Sequence, residues 1–109
     1  VAYVFNITKD NKYFLQRMRP YALAHGKMAD AESIVAFIEG DIEKFRRAQN
    51  SSNFDTFIKT ANLMNTLTAK LEDMFLNHNV DGELLRNFNR CVQNDCDFVD
   101  ELKEKSREL

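Results

Sequence analysis

One proline and three glycines are all that interrupt this chain of 109 residues. Sheets joined by tight turns use such residues at nearly every reversal, so their scarcity argues for long helices and against an all-β fold. Nine Phe and three Tyr give the chain core material that a disordered segment lacks. The length suits one domain with one compact core. The class expected is therefore all-α.

Periodicity divides the chain into an arm and four helices. Residues 1–7 (VAYVFNI) alternate loosely and have no helix cap, which reads as an extended arm. Thr8 or Asp10 can cap a first helix reaching to about Lys27, with Tyr13, Phe14, Met18, Tyr21, Ala22 and Leu23 as its apolar positions. Pro20 falls inside it and should kink or break it, and Gly26 marks its end. Asp30 caps a second helix over about residues 31–49, with Ile34, Phe37, Ile38, Ile42 and Phe45 facing inward. Gly40 sits within that helix, where a close helix crossing would explain it. Asn50-Ser51-Ser52-Asn53 punctuates the chain before a third helix over about 54–77. Its stripe runs Phe54, Phe57, Ile58, Ala61, Met64, Leu67, Leu71, Met74 and Phe75. A loop over 77–82 leads to a fourth helix, about 83–107, with Leu85, Phe88, Val92, Val99 and Leu102 inward. Short connectors force antiparallel neighbours. The expected architecture is an antiparallel up-down-up-down four-helix bundle over residues 8–109, a single domain, with residues 1–7 as an extended N-terminal arm.

The charge is nearly balanced but unevenly spread. Residues 1–50 carry eight basic and six acidic side chains, and residues 51–109 carry seven and eleven. A pI near 5.7 argues against a general nucleic-acid binder, which needs a basic face. No apolar run approaches the length of a membrane span. A chain beginning at Val1 fits a partial sequence or a mature protein freed of a targeting peptide.

No set of residues assembles a reaction centre. Cys91 and Cys96, five residues apart, point about 140° apart on a helix and out of disulfide reach. Cys96 shares the Val92–Val99 stripe and reads as a small core residue; oxidation across a distorted turn or between molecules is the alternative. His25, before Gly26-Lys27, invites comparison with histidine phosphotransfer bundles, but their His-x-x-Lys-Gly order is missing. A partner for the helix macrodipole is the simpler reading. Glu39, Asp41, Glu72 and Asp73 lack the Glu-x-x-His pairs of a di-metal bundle. No catalytic, cofactor-binding or metal residue is assigned, and the chain reads as non-enzymatic. Its candidate contacts are protein-docking ones. Arg17, Arg19, Lys27, Lys44, Arg46 and Arg47 can form a cationic patch for an acidic partner, the alternative being simple dipole complementation by Lys44, Arg46 and Arg47. Tyr3 and Phe5 of the arm either fold back on the bundle or enter a partner.

From the second helix onward, the chain resembles the lumenal four-helix proteins attached to photosystem II, the PsbQ-type extrinsic subunits and related assembly factors. Ile42-Glu43-Lys44-Phe45-Arg46-Arg47 is similar to the aromatic-plus-Arg end of their second helix. Asn53-Phe54-Asp55-Thr56-Phe57, leading into Leu63-Met64-Asn65-Thr66-Leu67, stands where they have a Phe-Thr opening and a third helix rich in Leu and Ala. Asp81-Gly82-Glu83-Leu84-Leu85 takes the place of a Pro-rich segment that this chain lacks. The resemblance implies a non-catalytic extrinsic subunit in the thylakoid lumen of a plastid. Such a subunit docks on the photosystem II core without a cofactor and stabilises or helps assemble the oxygen-evolving centre. A helical adaptor of another large complex and a phosphotransfer module are the competing readings.

Overall fold

The computed structural model describes residues 1–107; positions 108–109, part of the expected domain, lie outside the described residues. It contains three strands followed by three helices: β1 (Ala2–Ile7), β2 (Tyr13–Arg19), β3 (Leu23–Met28), α1 (Ala31–Ala48), α2 (Phe54–Asn77) and α3 (Gly82–Glu104). The expected all-α four-helix bundle is thus overturned. The second, third and fourth helices exist close to where periodicity placed them, as α1, α2 and α3. The first does not, and the N-terminal arm is the first strand of an antiparallel sheet in the order β1-β2-β3.

Local chemistry explains why residues 8–27 are not helical. Thr8 caps no helix; it organises a hairpin turn. Its N–H donates to Lys12 C=O (2.7 Å), its C=O accepts from Asn11 N–H (3.0 Å), and its hydroxyl reaches the Asp10 carboxylate. Asn11 takes the left-handed conformation (φ 58°), which Asn tolerates better than most residues. Pro20, with no amide hydrogen to give a helix, occupies the β2–β3 connection after a cis Arg19–Pro20 bond. Gly26 ends no helix either. It lies in β3 at φ +85°, beside a register shift opposite Leu15 and Gln16. This bulge lets the next side chain, His25, turn toward the helical layer.

The chain divides into two compact units, Val1–Thr66 and the segment from Leu67 onward. In the first, α1 packs on β2 and β3. Tyr3, Phe5, Leu15 and Arg17 share one sheet face by register, with Tyr3 opposite Arg17 and Phe5 opposite Leu15. Leu15 is fully buried there, against a core that includes Ile34 and Phe45. Asp30 caps α1 as expected, its carboxylate accepting from Ser33 N–H at 2.8 Å. The inward stripe of α1 is rotated from the expected one: Asp41 is buried while Ile42 is 46% exposed. Gly40 meets no neighbour, so no close crossing accounts for it.

The second unit holds the last turns of α2, a short connection and α3. Asp81 caps α3, accepting from Glu83 and Leu84 N–H. No residue of α2 or α3 is buried. Cys91 and Cys96 are free and exposed, so Cys96 is not the core residue its spacing suggested.

Candidate functional site

A polar cluster sits between sheet and helix in the first unit. Arg17, from the middle strand, is only 4% exposed and meets Asp41 of α1, which is 8% exposed. The contact is bidentate: Nε donates to Oδ2 at 3.0 Å and Nη2 to Oδ1 at 2.9 Å. Tyr3 of β1 donates its hydroxyl to the same Oδ2 at 2.5 Å. The faces of the guanidinium are covered by aromatic rings, its carbon lying 5.0 Å from the Tyr21 centroid and 4.6 Å from that of Phe45. Tyr21 in turn meets Phe45 and Phe57 edge-on.

This environment shifts titratable groups within it. Burial and the Asp41 carboxylate that its hydroxyl must face push the Tyr3 phenol up to about 12. Burial alone would raise the Asp41 carboxyl, but hydrogen bonds from Arg17 and Tyr3 outweigh it and hold the group below the usual carboxylate range. The pair is therefore ionised and locked at neutral pH.

The cluster walls a pocket of about 430 Å³, also lined by His25, Phe37 and Lys44. The His25 ring lies 4.5 Å from Phe37, centroid to centroid. Burial, and then the charge of Arg17, lower its pKa. Two of the residues lining this pocket hold a buried nitrogen with no hydrogen-bond partner, Arg17 Nη1 and His25 Nε2.

Not all of the residues expected to dock a partner reach the surface. Arg17 is internal and neutralised by Asp41. Tyr3 serves the same cluster. Arg19, Lys44, Arg46 and Arg47 are exposed, though Arg46 is taken up by Glu43 one turn away (2.5 and 2.9 Å). Phe5 is 53% exposed and packs edge-on against Tyr13. Lys27 bridges loosely to Asp10 at 3.4 Å. His25 lies on a strand bulge, not on an exposed helix face. The residue that sequence reading passed over is Asp41, weighed only as a metal ligand. Its signal was present: it falls four residues from both Phe37 and Phe45 and seven from Ile34, in line with the buried stripe.

A second concave feature lies within the second unit. Leu67, Leu71 and Met74 face Leu84, Leu85 and Phe88 across an apolar cleft of about 330 Å³. Among the described residues, no three His, Cys, Asp or Glu side chains gather to hold a metal ion, and no helix is long and apolar enough to cross a membrane.

No family model, no curated protein and no solved structure matches the chain. The photosystem II resemblance was drawn on a four-helix layout, and that layout is absent.

Proposed function

We propose that this chain is a non-catalytic interaction module that self-associates through α2 and α3, a second copy covering the apolar faces that one copy leaves bare. The carrying observation is that neither helix buries a residue, although both carry long apolar stripes. On α3, Leu85, Val92 and Val99 recur every seven residues beside Leu84 and Phe98, and their exposures reach 66% for Leu84, 55% for Phe98 and 61% for Val99. On α2, Leu67, Phe75 and Leu76 are 44%, 59% and 69% exposed.

The seven-residue spacing on α3 supports a second copy as the occupant, because that repeat keeps one apolar seam facing a partner helix. Patches this apolar are uncommon on soluble monomers. A docking role in the thylakoid lumen, by contrast, has only the resemblance behind it, and no observation on the fold favours it.

Sedimentation velocity over a concentration series tests the reading. The full chain should run as a dimer, and the double variant Val92→Asp/Val99→Asp as a monomer with unchanged helical content. A wild-type chain that stays monomeric up to ~100 μM would defeat the proposal, since helices that leave such stripes bare should associate well below that concentration.

A further inference from the structure

We propose that the pocket between the sheet and α1 is a binding site for a small aromatic carboxylate, held by Arg17, His25 and Lys44 against walls of Tyr21, Phe37 and Phe57. The polar argument begins with the guanidinium. Asp41 takes the edge formed by Nε and Nη2, and aromatic rings cover the faces. Nη1 is left buried without an acceptor. Buried N–H groups are almost always paired, and a side chain only 4% exposed has little bulk water to turn to. His25, which lines the same space, holds a second buried, unpartnered nitrogen, Nε2. Both orphaned atoms belong to residues that line one pocket, and a carboxylate offers an acceptor oxygen to each once those side chains turn toward it.

Charge and shape narrow the class. Arg17 and Asp41 cancel, and among the described residues Lys44 makes no ion pair, so the rim carries one unmatched positive charge. One negative charge on the ligand balances it. The Asp41 oxygens already accept three hydrogen bonds, from Arg17 Nε and Nη2 and from Tyr3. These bonds take up most of the roughly four acceptor positions of a carboxylate, so a ligand acceptor is better served here than a ligand donor. The remaining walls are aromatic, and a volume of about 430 Å³ admits a bicyclic ring system.

The test titrates 2-naphthoate into the full chain, read by calorimetry and by the aromatic NMR signals of Tyr21, Phe37 and Phe57. Uncharged 2-naphthamide and inorganic phosphate serve as controls. The expected result is one saturable site with Kd below ~1 mM, the amide at least about tenfold weaker, and phosphate weaker still. Lys44→Met, a change at an exposed rim residue that leaves the fold intact, should weaken the acid about five- to tenfold and leave the amide unmoved. Ala48→Phe, which fills the pocket, should abolish binding of both. The proposal fails if no ring signals move up to ~10 mM ligand, which would leave water as the partner of both nitrogens. It fails equally if acid and amide bind alike, if Lys44→Met has no effect on the acid, or if the shifts fall on the Leu67–Phe88 cleft instead.

Discussion

Arg17 and Asp41 lie 24 residues apart in sequence and join the central strand to α1 through two parallel hydrogen bonds of 3.0 and 2.9 Å. Each is useful to the fold only because the other is present. A buried pair gains little over apolar residues of like volume, but half a pair leaves an uncompensated charge in the core. Asp41→Asn should therefore destabilise the first unit by about 3–5 kcal/mol. The double variant Arg17→Met/Asp41→Leu should recover most of that loss. Urea melts of Arg17→Met, Asp41→Leu and their double variant close the cycle; single and double variants losing stability additively would show that the pair is not coupled.

The same cluster sets how stability responds to pH. The Tyr3 phenol titrates higher in the folded chain, at about 12, than in the unfolded one. Its contribution is complete below about pH 10 and is lost as pH rises toward 12. Asp41 titrates lower when folded. Its contribution is complete above about pH 4 and is lost as pH falls below that. Thermal melts should show stability falling at both extremes. Tyr3→Phe should flatten the alkaline limb and cost about 1.5–3 kcal/mol at neutral pH through the lost bond to a charged acceptor. An alkaline limb that survives this change would remove Tyr3 as its source.

Helices in this chain were legible because each carries a signal of period three to four and a clean stop. Asp30 and the Asn50–Asn53 run mark boundaries that the structure keeps within a residue or two. The sheet was hidden by β2. Its core face reads Tyr13, Leu15, Arg17, and its other face Phe14, Gln16, Met18, so polar and apolar residues stand on both sides and the period of two is blurred. An arginine on the buried face makes sense only beside Asp41, which no local window contains. Pro20 was the available warning: it argued against a helix there, and a turn was the alternative. The candidate site stayed illegible for the same reason, since Tyr3, Arg17 and Asp41 come from three separate elements.

Two glycines should respond in opposite directions to alanine. Gly40 lies mid-helix with no atom near the place a Cβ would take. Gly40→Ala should stabilise the protein by about 0.5–1 kcal/mol, through helix propensity and a less free unfolded chain. Gly26 also has open space around it, yet its φ of +85° disfavours any L side chain. Gly26→Ala should cost about 1–2 kcal/mol and disturb the bulge that positions His25. Matched thermal melts check both; equal shifts of one sign would mean that backbone conformation is not what separates them.

Self-association through α3 has a built-in opponent. Counting 100° per residue, Asp95 points between Phe88 and Leu102, into the middle of the apolar stripe, while Asp97 points to the opposite side. A carboxylate at a helix–helix seam weakens the assembly and restricts its register. Asp95→Leu should therefore tighten the dimer by about tenfold or more, whereas Asp97→Leu, the same chemical change on the polar side, should leave it unaltered. Cys96 gives an independent reading, because it lies on the Val92–Val99 side and its thiol is exposed in the single chain. Its alkylation should slow as protein concentration rises through the dimer range, and slow at lower concentration in Asp95→Leu. If both leucine variants tighten association equally, added hydrophobicity alone is responsible and the α3 stripe is not the interface.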